Sequence, residues 1–208
     1  INFAAAGDSM ITRRISVFDE DRFLYLVRQI RDADLAFTNM EMLLHSYEDY
    51  PGGKDWIGTY MAAEPYIADE LKWAGFDIVS CATNHAGDFT VGGMLSTIEA
   101  VEKAGLVHAG MGNNLGTARS PAYLETPKGR VALISGCSTF QPWEKAGEAR
   151  GDFIGRPGIN GLTKNTTYVV DEKTAQLLEE AAGRFGAELK RSANEFTFLA
   201  RIQHMYDM

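Results

Sequence analysis

Residues 77–88 have the sequence DIVSCATNHAGD. The first half of this stretch is a short, mostly apolar run, which predicts a buried β-strand. The second half is a polar turn that carries Asn84, His85 and Asp88. A helix is predicted on either side of the stretch, and the first of these helices ends at Gly75. The stretch is therefore typical of a strand between two helices, with polar side chains at its carboxyl end.

The same alternation of strand and helix extends along the first 120 residues. Hydrophobic periodicity predicts strands at residues 1–7, 35–38 and 106–109, and helices at residues 19–31, 64–75 and 91–104. Strands that alternate with helices form βαβ units, so we expect an α/β fold with a largely parallel sheet.

The pattern changes after residue 120. Two short apolar runs, at residues 122–126 and 130–135, flank a Pro-Lys-Gly turn and predict a hairpin. Residues 137–166 are rich in glycine and lack periodicity, so we expect a long irregular excursion, and such loops are often functional. Residues 171–191 carry an apolar stripe at helical spacing, which predicts a helix.

The composition excludes several classes of protein. The chain has 208 residues, 45% of them hydrophobic, and a formal net charge of −8. This apolar share is too high for a disordered chain, and no stretch approaches the roughly 20 apolar residues of a membrane span. Because so acidic a chain lacks the basic surface that would neutralise phosphates, we expect no nucleic-acid partner. The two cysteines, Cys81 and Cys137, are expected to be reduced and mostly buried.

Polar side chains follow the predicted strands at their carboxyl ends, where open α/β sheets bind ligands. Asp8 follows the first strand, Glu41 the second, and Asn84 and His85 the third. Carboxylates, an amide oxygen and an imidazole together suit a divalent ion such as Mn²⁺, Fe²⁺ or Zn²⁺. Such an ion lowers the pKa of its bound water, and a nearby histidine can protonate the leaving group. The combined placement therefore predicts a hydrolytic metal site.

Each of these residues also has a purely structural interpretation. Asp8 alone is typical of a turn, and Glu41 alone is typical of a solvated carboxylate near the start of a helix. Asn84 is common in turns, and His85 is equally consistent with a hydrogen-bonded imidazole. Asp88 is also suited to cap the helix that follows it. Only the placement of all these residues at successive strand ends favours a site.

Other motifs carry weaker signals. The glycine loop at residues 110–116 loosely matches a dinucleotide-binding fingerprint but follows the fourth strand, so we expect a tight structural turn. His108 lies at a strand end and is a candidate to support a metal ligand, whereas His45 and His204 are expected at the surface. Asn165 begins a glycosylation sequon, which matters only in a eukaryotic secretory pathway.

At these residues the sequence resembles the bacterial poly-γ-glutamate capsule-biosynthesis family, the CapA type, a branch of the metallophosphatase-like superfamily. The resemblance covers about residues 1–136, and the matching segments occur in the family's order and spacing. They are GDSM at 7–10, NME at 39–41, AGFDIVS at 74–80, NHAGD at 84–88, and the AG, HAGMGN, Ala and Pro positions between 104 and 121.

The resemblance implies an α/β/β/α sandwich with a mixed, largely parallel sheet. A single metallophosphatase-like domain would then cover residues 1–208, with residues 137–166 as an irregular insertion and residues 167–208 as a helix-containing segment. It further implies a metal-dependent hydrolase of a phosphoester or amide-type bond, with a small-molecule or poly-γ-glutamate-like substrate. The alternative is a non-catalytic component of poly-γ-glutamate synthesis or export.

The resemblance also assigns roles to the residues at the strand ends. Asp8, Glu41 and Asn84 correspond to metal ligands, and the metal would be Mn, Fe or Zn. His85 corresponds to the residue that protonates or orients the leaving group. Asp88 corresponds to the acidic partner three residues after that histidine.

The sequence departs from the family pattern in one major respect. The family carries a His-x-Gly-x-Glu motif and a Gly-His-x-His motif in its C-terminal half, and neither occurs here. Four histidines in 208 residues do not supply the imidazoles of a dinuclear site, so either the chain is an N-terminal portion of a longer protein, which we expect, or this member has a reduced site. The chain begins at Ile1, which places any leader peptide outside it. The cytoplasm is favoured, and secretion or membrane attachment stays open.

Overall fold

The computed structural model describes residues 1–47, 49–53, 58–164 and 169–186, and the strand residues 190–191 and 196–197. The chain forms two compact units, Ile1–Leu162 and Thr163–Met208. The expectation of a single domain over all 208 residues stays a prediction. Asn165 and His204 lie outside the described residues.

The helices and strands follow one another in the order that a βαβ protein requires. In chain order they are β1 (Phe3–Ser9), α1 (Asp21–Arg31), β2 (Leu35–Met40), β3 (Leu43–Leu44), β4 (Ala62–Ala63), α2 (Ile67–Ala74), β5 (Ile78–Ser80), α3 (Thr90–Lys103), β6 (Val107–Ala109), β7 (Met111–Gly112), α4 (Leu115–Arg119), β8 (Ala122–Thr126), β9 (Gly129–Leu133), β10 (Gly158–Ile159), α5 (Glu172–Arg184), β11 (Lys190–Arg191) and β12 (Phe196–Thr197).

A four-stranded sheet with the order β1-β2-β5-β6 lies at the centre of the first unit. All three pairs of neighbouring strands are parallel, which confirms the prediction of an α/β fold with a parallel sheet. The architecture is consistent with the expected α/β sandwich. Because parallel strands share a direction, the carboxyl ends of all four strands lie along one edge of the sheet.

The hydrophobic core joins one face of this sheet to the helices. Buried side chains of β2 and β5 pack with those of α2 and α3, and Met40, Val79, Leu71 and Met94 represent the four elements. Each such side chain removes apolar surface from water at roughly 25 cal/mol per Å², which is the main stabilising term. This packing fixes the strand ends from which the candidate site residues project.

The predicted helix boundaries agree with the observed ones to within about three residues in the first unit. Helix α2 ends where the sequence predicts, because Gly75 adopts a left-handed conformation with φ of 106° and its N–H bonds to the carbonyls of Leu71 and Lys72. A Cβ atom at Gly75 would also lie 2.6 Å from the side chain of Arg31. The hairpin of β8 and β9 is observed as predicted.

One prediction about the second half needs correction. The helix predicted at residues 171–191 ends at Arg184, because Gly186 takes a φ of 67° and Lys190–Arg191 forms strand β11. The described part of the predicted excursion, residues 137–164, is irregular for most of its length. Strand β10 within it pairs with β7, which directly follows β6.

His45 is buried, and not at the surface as predicted. Strand β3 directly precedes His45 and pairs with β4, so that the chain enters the interior just before this residue. The imidazole lies 4.2 Å from the ring of Phe89, centroid to centroid, and its Nδ1 accepts a hydrogen bond from the N–H of Tyr47.

Among the helices that the structure describes, none has the length and the apolar surface that a membrane-spanning helix requires.

Candidate functional site

A β-bulge in β1 sets the direction of Asp8. The register of β1 against β2 shifts by one residue just before Asp8, so that Asp8 lies opposite Asn39. Within the bulge, the hydroxyl of Thr38 donates a hydrogen bond to the carbonyl of Gly7 at 2.8 Å. Because side chains alternate between the two faces of a sheet, the extra residue turns Asp8 to the face that carries Asn39.

The side-chain amide of Asn39 joins the two carboxylates that the sequence singled out. Its Nδ2 donates hydrogen bonds to Asp8 Oδ1 at 2.8 Å and to Glu41 Oε2 at 2.6 Å. Asp8 and Glu41 therefore lie side by side at the carboxyl ends of β1 and β2. Asn39 is not among the residues predicted to form the site, and its only sequence signal is its place in the Asn-Met-Glu segment.

The charged side chains at this edge of the sheet influence the pKa of Glu41. Burial raises the pKa of the Glu41 carboxyl, and the negative charges of Asp8 and Asp88 raise it further. The hydrogen bond from Asn39 and the nearby His85 oppose this rise in the pKa. Three residues predicted to form the site, Asp8, His85 and Asp88, are thus close enough to influence the ionisation of a fourth, Glu41.

His85 and Asp88 form a pair in the turn after β5. His85 Nδ1 lies 2.8 Å from Asp88 Oδ2, and the N–H of Met61 donates to the same oxygen at 2.5 Å. The side chain of Asp88 is fully buried, whereas that of His85 is 15% exposed. Because a carboxylate only accepts hydrogen bonds, we assign a proton to Nδ1 of His85. The pair is suited to orient the ring.

Asn84 opens the same turn, residues 84–88, which we call the His85 turn. Its side chain is half-buried and forms no hydrogen bond with a residue that the structure describes. In the described part of the chain, no three side chains of His, Cys, Asp or Glu are arranged to hold a metal ion. The predicted ligands Asp8 and Glu41 lie side by side. Asn84 follows β5, the neighbour of β2 in the sheet, and forms no hydrogen bond with either of them.

His108 does not support the site. Its Nε2 lies 3.4 Å from Glu102 Oε1 on α3, and no hydrogen bond or ion pair joins it to a described residue of the candidate site. Strand β6 places His108 beside Val79, which belongs to the core shared with the helices. The expectation of a role beside a metal ligand has no support in this geometry.

The irregular excursion reaches the His85 turn through Glu144, which no sequence pattern singled out. The carboxylate of Glu144 is buried, and its Oε2 accepts a hydrogen bond from the N–H of Gln141 at 2.8 Å. A Cβ atom added at Gly87 would overlap this carboxylate. Nothing in the local sequence marks Glu144, because the segment has no periodicity.

The two cysteines differ in their surroundings. Both are free, as predicted, but only Cys81 is fully buried, and burial raises the pKa of its thiol to about 12. Cys137 is half-buried and donates a hydrogen bond to the carbonyl of Thr139 at 3.0 Å. Burial raises the pKa of Cys137 too, and the negative charges of Glu41 and Glu144 raise it further. Cys137 therefore reports on the charge of the candidate site.

This difference predicts the order of thiol labelling. In the native protein Cys137 reacts slowly with iodoacetamide and Cys81 does not react until the protein unfolds, because the thiolate is the nucleophile. Glu41→Gln removes a negative charge near Cys137 and is expected to speed its labelling several-fold, whereas Glu125→Gln on the exposed hairpin leaves the rate unchanged. Mass spectrometry of the two peptides measures both rates. Equal rates in the two variants would contradict the proximity of Glu41 and Cys137.

Comparisons with known proteins agree on one family. The sequence model described as "Bacterial capsule synthesis protein PGA_cap" matches residues 2–191. The chain is 33% identical over 178 residues to the uncharacterized protein y4sH of Sinorhizobium fredii (strain NBRC 101917 / NGR234), which covers 85% of this chain and 39% of that protein. It is 26% identical over 147 residues to the capsule biosynthesis protein CapA of Bacillus anthracis. This match covers 67% of this chain and 35% of CapA.

The chain is much shorter than these relatives. It spans about two fifths of the length of the curated relatives that it matches, 39% of y4sH and 35% of CapA. The family match itself covers nearly the whole chain and includes every residue of the candidate site. The chain therefore belongs to the bacterial capsule synthesis protein family PGA_cap.

Proposed function

We propose that this domain is a metal-dependent hydrolase of a phosphoester or amide-type bond that serves bacterial capsule synthesis. One observation carries the proposal. Two adjacent carboxylates, Asp8 and Glu41, converge on one amide at the same sheet edge where His85 pairs with Asp88. A group that binds a cation and a group that transfers a proton are the two parts that such a reaction requires.

The donors at this edge fit a divalent metal ion. Burial and the charge of Asp8 raise the pKa of Glu41, so the ionised pair is costly and a cation between the two carboxylates would offset that cost. Asp8 and Glu41 would hold the ion, with the amide oxygen of Asn84 as a third donor, and such a set suits Mn²⁺, Fe²⁺ or Zn²⁺. When bound, the ion supplies a water molecule of lowered pKa.

His85 and Asp88 supply the proton. Asp88 fixes the ring of His85 through Nδ1 and is itself fixed by the N–H of Met61. The other ring nitrogen, Nε2, is then the one that donates a proton to the leaving group. An alkoxide and an amine both leave faster when protonated, so this pair serves a phosphoester and an amide alike.

Hydrolysis of two chromogenic probes tests the proposal. The substrates are bis(4-nitrophenyl) phosphate and γ-glutamyl-4-nitroanilide, assayed with Mn²⁺, with Fe²⁺, with Zn²⁺ and after removal of metal with EDTA. We expect turnover of one probe that disappears with EDTA and returns with one of the three ions. Absence of turnover of both probes with all three ions would contradict a hydrolase.

A second candidate function is a non-catalytic role in capsule assembly or export. One observation favours it: in the described residues, no cluster of three His, Cys, Asp or Glu side chains is ready to hold a metal. The net charge of −8 argues against broad binding to a polyanion such as poly-γ-glutamate unless a cation mediates it. Co-purification with synthase subunits from a protein that binds no metal would favour this candidate over the hydrolase.

A further inference from the structure

Glu144 is a buried carboxylate that takes no part in the proposed metal binding or proton transfer. Its side chain is 1% exposed although the segment around it is irregular. A buried carboxylate costs free energy unless it is bonded, and an apolar side chain of equal size would avoid that cost. The position of Glu144 therefore calls for a reason beyond filling space.

The backbone of Glu144 is hydrogen-bonded to strand β10, which forms a two-stranded sheet with β7. The N–H of Ile159 donates to the carbonyl of Glu144 at 2.9 Å, and the N–H of Ala146 donates to the carbonyl of Ile159 at 3.0 Å. Ile159 is fully buried and pairs with Met111 of β7, directly after β6. These hydrogen bonds fix the position of the Glu144 backbone beside strand β10.

The carboxylate faces the His85 turn at the one position that has no side chain. Any Cβ atom at Gly87 would overlap Glu144, so this turn and this carboxylate are in direct contact. A second segment also contacts the turn, because the N–H of Gly52 donates to the carbonyl of Asp88 at 2.8 Å. A Cβ atom at Gly52 would lie 2.8 Å from the ring of Trp143, which directly precedes Glu144. Two separate segments thus contact the turn.

We infer that Glu144 is a positioning residue for His85. It acts through the backbone of Gly87, which it holds so that His85 Nδ1 and Asp88 Oδ2 stay at hydrogen-bonding distance. The importance of this role for catalysis rests on the proposed hydrolase. That Glu144 holds the backbone of Gly87 in place does not depend on it. The required features are the size of the Glu144 side chain and its acceptor oxygen for Gln141, so glutamine is expected to replace it.

A double-mutant cycle with a spectroscopic readout tests this inference. The ¹⁵N NMR spectrum of the imidazole reports the Nδ1 proton of His85, assigned by its loss in His85→Gln. We expect Gly87→Ala and Glu144→Ala each to broaden or shift this signal, and Glu144→Gln to retain it. In the double variant the alanine methyl enters the space that the carboxylate left, so the disturbance is expected to be smaller than the sum of the two single ones.

Two control variants match the two substitutions. Gly53→Ala adds a methyl group with no atom of a described residue within 4 Å, and Glu148→Ala removes a carboxylate that is largely exposed on the same excursion. Both are expected to leave the His85 signal unchanged. Should Glu144→Ala fail to fold, the comparison of Gly87→Ala with Gly53→Ala carries the test alone.

The outcomes separate this inference from the proposed function. An unchanged His85 signal in Gly87→Ala and Glu144→Ala, or strictly additive effects in the double variant, would overturn the inference even if the protein is a hydrolase. Loss of the signal in these variants, in a protein that hydrolyses neither probe, would uphold the positioning of His85 and count only against the hydrolase.

Discussion

Replacing His85 with glutamine is expected to lower kcat for γ-glutamyl-4-nitroanilide by about 10²- to 10⁴-fold, the range that a general acid contributes, because the amine of this probe leaves only when protonated, whereas 4-nitrophenolate leaves as an anion. Glutamine keeps much of the size of the imidazole and can accept or donate a hydrogen bond, but it cannot deliver a proton to a leaving group. The melting temperature should change little if the glutamine amide donates to the buried carboxylate of Asp88 in place of Nδ1. Steady-state kinetics at saturating metal measures the effect.

His108→Gln is the matched control for this prediction. Its side chain is 16% exposed, close to the 15% of His85, and it too is paired with a carboxylate, that of Glu102. Because no hydrogen bond or ion pair joins His108 to a described residue of the candidate site, kcat should stay within about twofold of the original. A similar loss in both variants, or an undiminished kcat in His85→Gln, would show that His85 is not the proton donor.

Replacing Glu70 with alanine is expected to lower the free energy of unfolding by about 2–4 kcal/mol, as expected for removing one partner of a buried charged network. The carboxylate is almost fully buried and accepts hydrogen bonds from the N–H groups of Ile15 and Ser16, at 3.0 and 2.7 Å. It also accepts from the hydroxyl of Ser16 and pairs with Arg14 at 3.2 Å. Without Glu70 these donors lose their acceptor, and the chain after β1 loses its attachment to α2.

Urea unfolding of Glu70→Ala and of Asp69→Ala measures this loss. Asp69 is the adjacent carboxylate on the same helix, but it is exposed, so its removal should cost no more than about 1 kcal/mol through the helix dipole. Equal losses in the two variants would mean that the hydrogen bonds to Glu70 contribute nothing specific.

The pH dependence of the Glu70 effect has a defined sign. Burial alone would raise the pKa of Glu70, but the hydrogen bonds from Ser16 and Ile15 and the charge of Arg14 together lower it. A carboxyl with a lowered pKa in the folded state stabilises the protein above its unfolded pKa of about 4.3, and this stabilisation is lost as the pH falls through the folded pKa. The stability gap between the original protein and Glu70→Ala should therefore be constant from pH 7 to about 5 and shrink below pH 4. A gap that widens on acidification would contradict the assigned hydrogen bonds.

The sequence predicted the parallel sheet and its polar edge because both depend on local patterns. Alternating strand and helix signals require parallel pairing, and Gly75 ends α2 because a left-handed residue is needed there. His85 and Asp88 lie three residues apart in one short turn, so their pairing also has a local origin.

The remaining features of the site depend on distant contacts. The bulge in β1 and the bridging amide of Asn39 result from the register of two strands that are separated by a helix. Glu144 reaches Gly87 from more than fifty residues further along the chain, through a segment without periodicity. His45 is buried by the pairing of β3 with β4, two strands of two residues each, too short to produce a recognisable alternation.

Isothermal titration of the metal-free protein with Mn²⁺ tests most directly whether the carboxylates of Asp8 and Glu41 form a metal site. We expect saturable binding that is lost in the Asp8→Asn/Glu41→Gln double variant. Binding should be retained in Asp19→Asn/Glu20→Gln, which removes the same charges from exposed positions before α1. Absence of saturable binding in the original protein, or equal affinity in the two double variants, would contradict a metal site at these carboxylates.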